Sequence, residues 1–129
     1  MANELVPAIV VVQTAPVTHA VCREEVQNAG IVLGRDWVLF ISPHSARQAI
    51  VPNTRQLLVT GTINGDVEAA EAFVREMKDL NPALKAAMFS TMEFEVTGVY
   101  DQVIKKDGFG AVACADLIVA MREFLATGN

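Results

Sequence analysis

The strongest constraint in this chain is a set of short apolar runs that do not alternate with polar residues. Ala8 to Val12 (AIVVV) is almost wholly β-branched, and Trp37 to Ile41 (WVLFI) is apolar at every position. Leu57 to Val59, Leu84 to Phe89 (LKAAMF) and Val103-Ile104 complete the series. A strand with one wet face shows period two, whereas a strand covered on both faces reads as continuous apolar sequence. A hydrophobic content of 52% fits the second case. The runs therefore predict a sheet buried on both sides, with β-branched residues suited to its central strands.

The segments between these runs read as helices. Pro16 opens a stretch to about Ala29, in which Val17, Val21, Val26 and Ala29 can share a face, and Gly30 suits the C-terminal cap. Ser42-Pro43 has the form of an N-cap followed by proline in the first helical position, opening a short helix over His44 to Val51. Asp66 is placed to cap the best-patterned helix, Val67 to Leu80. Val67, Ala70, Val74 and Met77 form its stripe, and Phe73 and Leu80 widen it. Asn81-Pro82 stops that helix. Met92 to Gly98 holds at most a short helix. A glycine-bearing loop, Asp107 to Gly110, then leads to a last helix over Val112 to Leu125, with Leu117, Ile118, Met121, Phe124 and Leu125 on its apolar side.

Strands alternating with helices through short links imply parallel pairing with right-handed crossovers. The expected architecture is a three-layer, doubly wound α/β domain with strand order 2-1-3-4-5, of the flavodoxin-like type. In it the first, third and fourth strands end beside one crevice. The 129 residues fit one such domain over 1–129, its core spanning about 8–126.

Charge and composition narrow the function. A net charge of -5 and a pI near 4.9 disfavour direct nucleic-acid binding, because phosphate backbones select basic surfaces. The segment Met1 to Pro7 carries an acidic residue and no Lys or Arg, so it does not read as a signal peptide, and the apolar runs are too short to cross a bilayer. Cys22 and Cys114 form neither a CxxC pair nor a metal-ligand pattern and read as small buried or half-buried thiols in a reducing compartment. These readings point to a cytoplasmic protein without membrane contact. His19 and Cys22 share a helix spacing but lack further ligands nearby, which reads as a partly exposed helix side rather than a metal site.

The order and spacing of the pieces resemble response-regulator receiver domains. Arg55 to Phe73 (RQLLVTGTINGDVEAAEAF) resembles their third strand, following loop and third helix. Leu84 to Ser90 (LKAAMFS) resembles their fourth strand with its terminal hydroxyl residue. Tyr100 to Asp107 (YDQVIKKD) resembles their fifth strand, and Asp116 to Phe124 (DLIVAMREF) their last helix. The family phosphorylates an aspartate at the end of strand three, with Mg²⁺ held by that residue and an acidic pair after strand one. Carried over by position, the acidic pair falls on Gln13 and Thr14 and the acceptor on Thr60, with Gly61 beside it. The hydroxyl falls on Ser90, and the phosphate-contacting lysine on Lys106, or on Lys105 if the register is one residue off. Asp107 stands where the family has proline.

Only the hydroxyl and the lysine survive this transfer. A threonine hydroxyl without a base is a far weaker nucleophile than a carboxylate, and Gln13-Thr14 offers Mg²⁺ no anionic ligand. The resemblance thus implies a degenerate receiver that is not an enzyme and holds no metal or cofactor. It would work in signalling through a protein partner or self-association as a dimer, with the last helix as the docking element. The runner-up is a flavodoxin-like small-molecule or anion-binding protein, enzymes included, with Gln13, Thr14, Thr60, Asn64, Ser90 and Lys106 around its crevice. The segment Thr60 to Gly65 can present backbone N–H groups to an anion, although it matches neither the P-loop nor the dinucleotide fingerprint. A structural subunit of a larger assembly is the third expectation. Glu93 and Glu95, in the fourth connection, carry no assigned role.

Overall fold

The computed structural model describes residues 6–64, 66–90, 98–105 and 114–127. Its five strands form one all-parallel sheet of order β2-β1-β3-β4-β5, built from β1 (Ile9–Val12), β2 (Trp37–Phe40), β3 (Leu57–Thr60), β4 (Lys85–Ser90) and β5 (Gln102–Lys105). The helices are α1 (Pro16–Asn28), α2 (Pro43–Ala46), α3 (Val67–Leu80) and α4 (Ala115–Ala126), with a 3₁₀ turn at Arg47–Ala49. This is the expected flavodoxin-like α/β arrangement.

Alternation along the strands divides the core between the two faces. Ile9, Val11, Leu57, Val59, Ala87, Phe89 and Ile104 pack with Cys22 and Val26 of α1 and Leu117 and Met121 of α4. Val10, Val12, Leu58, Ala86 and Met88 pack with Ala46 of α2 and Ala70, Phe73, Val74 and Met77 of α3. Every residue of β1 and β3 is buried, which is why those runs carry no polar alternation.

Local signals set the helix ends. Gly30 adopts φ +85°, and the N–H groups of Gly30 and Ile31 bond to the carbonyls of Gln27 and Val26, closing α1 with a Schellman motif. Ser42 caps α2 through the Ser45 N–H, and Asp66 caps α3 through the Ala69 N–H. The second helix is shorter than its sequence suggests, because α2 tightens into the 3₁₀ turn after one turn.

Three apolar assignments need correction. Val17 is 71% exposed, and α1 buries Cys22 together with the expected Val26. Leu80, at the last turn of α3, is exposed. Cys22 is fully buried, as expected of a small buried thiol, so the partly exposed helix side expected for the His19 and Cys22 pair does not include it. The connection expected at 92–98 lies outside the described residues apart from Gly98, a turn residue, and so does the loop expected at 107–110.

At the N-terminal end of the sheet, one buried side chain organises three segments. The Gln56 amide donates to the carbonyls of Pro7 at 3.0 Å and Ala49 at 2.7 Å. It accepts from the Val51 N–H at 2.9 Å and from Asn81 Nδ2 at 3.3 Å. Asn81, the C-cap of α3, also donates to the Thr54 carbonyl and accepts from the Ala83 N–H. Both residues are fully buried, and this mutual satisfaction is what makes their burial tolerable.

Candidate functional site at the C-terminal edge of the sheet

The chain leaves β1 towards the face covered by α1 and leaves β3 towards the face covered by α3. The loops after these adjacent strands therefore diverge at the switch point of the sheet, where a fold of this strand order places its crevice. Val12 and Thr60 are register partners at its floor. Just beyond them, Gln13 N–H bonds to the Phe40 carbonyl at 3.0 Å and Gly61 N–H to the Val12 carbonyl at 3.3 Å, so the ladder continues to the crevice.

Gln13, Thr14, Gly61 and Asn64 come together here. Gln13 is 5% exposed, and its amide lies against the Cα of Gly61. A Cβ at position 61 would sit 3.2 Å from Gln13 Oε1 and 3.4 Å from the Phe89 carbonyl, so glycine makes room for the amide. Thr14 Oγ1 donates to the Thr62 carbonyl at 3.3 Å and accepts from the Asn64 N–H at 3.2 Å, joining the two crevice loops. Asn64 takes φ +52°, a left-handed conformation that asparagine tolerates better than most residues. Among the described residues, no hydrogen-bond partner reaches Gln13 Nε2, although that atom is buried. A buried amide donor in this state is uncommon and costly.

Thr60 is not part of this group. It is in phase with Leu58, so its side chain enters the α3 side of the sheet, where it is fully buried. There Thr60 Oγ1 and Tyr100 Oη share a hydrogen bond of 2.8 Å. Tyr100, just before β5, is 6% exposed. Burial raises its pKa above the usual phenol value, the Thr60 hydrogen bond acts in the opposite sense, and the Glu71 carboxylate adds to the rise. The phenol therefore stays protonated at neutral pH and can donate to Thr60.

At the far side, Ser90 closes β4 and pairs in register with Lys105, the last residue of β5. The two strand ends expected to carry the hydroxyl and the lysine are thus neighbours. Lys106 itself lies outside the described residues, as do Glu93 and Glu95. Among the described residues, no group of three or more His, Cys, Asp or Glu side chains is placed to hold a metal ion, and no helix is long and apolar enough to cross a membrane.

Sequence reasoning gave Tyr100 no role. The available signal was a threonine ending an apolar, doubly covered strand, since a buried hydroxyl requires a partner. Its identity, 40 residues away, is a property of the tertiary fold. Comparison with known proteins finds no matching family model, no matching curated protein and no matching solved structure.

Proposed function

We propose that this protein is a receiver-like module that acts through protein–protein contact and not through phosphotransfer. The observation that carries the reading is the Thr60–Tyr100 pair. At the position that corresponds to the family's acceptor, the side chain is turned into the core and its hydroxyl is bonded to a phenol. A nucleophile must meet its phosphoryl donor at an accessible edge, and it needs a base or a carboxylate's own charge. Among the described residues the Thr60 hydroxyl is bonded to the Tyr100 phenol and not to a base, and the adjacent strand-one positions are the neutral Gln13 and Thr14.

The surface that suits contact is the edge formed by β5 and α4. Among the described residues, β5 has a strand neighbour on one side, β4. Beside it Val119 of α4 is 53% exposed, and Gln102, Lys105, Asp116, Ala120 and Glu123 line the shallow groove between the two elements. An apolar residue rimmed by charges next to an open strand edge is suited to a protein partner or a second copy of the chain. A cytoplasmic location is part of this reading.

The test is intact-mass measurement and intrinsic fluorescence after treatment with acetyl phosphate, or with beryllofluoride, in the presence of Mg²⁺. The expected result is no adduct and no Mg²⁺-dependent spectral change. A phosphoryl adduct would overturn the reading.

One observation favours a second reading, a crevice that binds a small molecule. The buried, unpartnered Gln13 Nε2 would be satisfied by a carbonyl, carboxylate or phosphate oxygen entering between the β1 and β3 loops. A thermal-shift screen with nucleotides, flavins and phosphorylated metabolites tests it. A specific ligand raises the melting temperature by mass action, and Gln13→Leu should abolish that rise.

A further inference from the structure

Cys22 and Cys114 are separated by 92 residues in sequence, yet their sulfurs lie 3.7 Å apart in the core. Cys22 sits in the middle of α1, and Cys114 is the N-cap residue of α4. Their exposures are 0% and 1%, and the Cys114 thiol donates to the Cys22 sulfur. Around them are Val26 of α1 and Leu117 and Met121 of α4, all in the same apolar cluster.

We propose that Cys22 and Cys114 are an oxidisable pair that forms a reversible disulfide, cross-linking α1 to the start of α4. The inference is independent of the proposed function. A disulfide bond is about 2.05 Å long, so the sulfurs must approach by roughly 1.7 Å. Small χ1 rotations at two side chains supply a movement of that size. These are the only two cysteines in the chain, and the fold brings their sulfurs together across 92 residues of sequence.

The two sulfurs are not equivalent. The Cys114 side chain makes no capping hydrogen bond to α4, and the twelve-residue helix that follows directs its first N–H groups toward this end. That field favours a thiolate, whereas burial in the apolar cluster and the exposed Asp116 in the first turn disfavour one, so ionisation accompanies the local opening that admits the oxidant. In the closed structure Cys114 is the protonated donor to Cys22; once the contact opens, Cys114, at the start of the helix, is taken as the attacking sulfur. With a hydroperoxide as oxidant, the Cys114 thiolate attacks the distal oxygen, the O–O bond breaks, and a sulfenic acid and an alcohol (water, for hydrogen peroxide) result. The Cys22 thiol then displaces the sulfenic hydroxyl as water, and the S–S bond forms. Two thiols are oxidised, one peroxide is reduced, and both thiol protons leave in water or alcohol. Because the pair is buried, the oxidant reaches it when the α1–α4 contact opens, so the reaction follows local opening.

The experiment treats the full chain with hydrogen peroxide, denatures it, alkylates it with a maleimide and measures intact mass, followed by peptide mapping. The expected product is a monomer that has lost two hydrogens, takes up no maleimide and yields a Cys22–Cys114 linked peptide. A thiol reductant should return it to a species taking up two maleimides. The oxidised protein should melt higher by on the order of 10 °C, because the cross-link closes a long loop in the unfolded chain. Cys22→Ser and Cys114→Ser should each abolish the linked peptide and the rise. Uptake of two maleimides after oxidation would overturn the proposal, as would intermolecular dimers alone or over-oxidation of one cysteine without a linked peptide. The wild-type readout decides the matter even if a serine variant fails to fold.

Discussion

Tyr100→Phe tests the reason Thr60 is unavailable for chemistry. The substitution removes one oxygen and leaves the ring in place. Thr60 is 0% exposed and Tyr100 6%, so water does not readily replace the lost partner. A neutral hydrogen bond contributes about 0.5–1.5 kcal/mol net, but a buried group left without its partner costs about 1–3 kcal/mol. At 2.8 Å the bond is well formed, and we expect Tyr100→Phe to destabilise the fold by about 1–2 kcal/mol. For a chain of 129 residues, an unfolding entropy of about 2.1 cal/mol/K per residue converts that loss to a melting shift of roughly 4–8 °C. Thr60→Val, which keeps the branched shape, should cost a similar amount by stranding the phenol. The double variant removes both polar ends, so its loss should be smaller than the sum of the two, with a coupling of about 1 kcal/mol or more. Equilibrium urea unfolding of the four proteins measures the cycle. Additivity of the two single losses, to within about 0.3 kcal/mol, would refute the pairing and the reasoning built on it.

Three further outcomes follow from the same structure. Thr60→Asp should not restore phosphorylation by acetyl phosphate and should lower stability by several kcal/mol, on the order of the cost of burying a carboxylate beside a phenol; an adduct on Asp at position 60 in a stable protein would contradict this. Gln56→Leu should cost about 3–5 kcal/mol, because the carbonyl of Ala49 and the N–H of Val51 lose their buried partner together; a urea midpoint that does not move would show that water satisfies them. Burial alone would raise the pKa of Asp101, but the Ala86 N–H at 2.8 Å and the Lys78 ammonium at 3.0 Å hold it below the usual carboxylate range. The stability it contributes is complete above the unfolded pKa of about 3.9 and is lost as pH falls through the lower folded value. Asp101→Asn should therefore flatten the acid limb of the stability profile, and parallel limbs for the two proteins would count against the assignment.

The architecture was legible because it rests on local signals. Doubly covered strands cannot alternate, and the unbroken runs at Ile9–Val12 and Leu57–Thr60 are the β1 and β3 of the sheet. The caps at Ser42, Asp66 and Gly30 are equally local, since each satisfies backbone groups within a few residues. What escaped notice depends on partners distant in sequence. On α1 the expected stripe of Val17, Val21, Val26 and Ala29 holds at Val26 and in part at Val21, but Val17 is exposed and Cys22, four residues before Val26, is buried beside it, in contact with Cys114 at the start of α4. The joining of Gln13, Thr14, Gly61 and Asn64 followed from the strand order. The inward turn of Thr60 follows from the period of two, which sets neighbouring residues of a strand on opposite faces. Gln56 gave no warning of its role, because a glutamine before an apolar run reads as a surface residue until the three segments it ties are in place.

The Gln56 cluster also gives the sheet a fixed foot and, among the described residues, a head with fewer side-chain ties. At the foot, Pro7, the 3₁₀ turn after α2 and the C-cap of α3 are riveted to the start of β3 by hydrogen bonds that fill every valence of one amide. At the head, between the β1 and β3 loops, the side-chain hydrogen bonds that cross the gap among the described residues run through the Thr14 hydroxyl, and Gln13 Nε2 is without a partner there. Sliding the strands as a body would break the foot, so a load applied at the crevice is taken up by the loops around Thr14 and Asn64. The described hydrogen bonds thus resemble a clamp with one welded end, its jaw at the loops around Thr14 and Asn64.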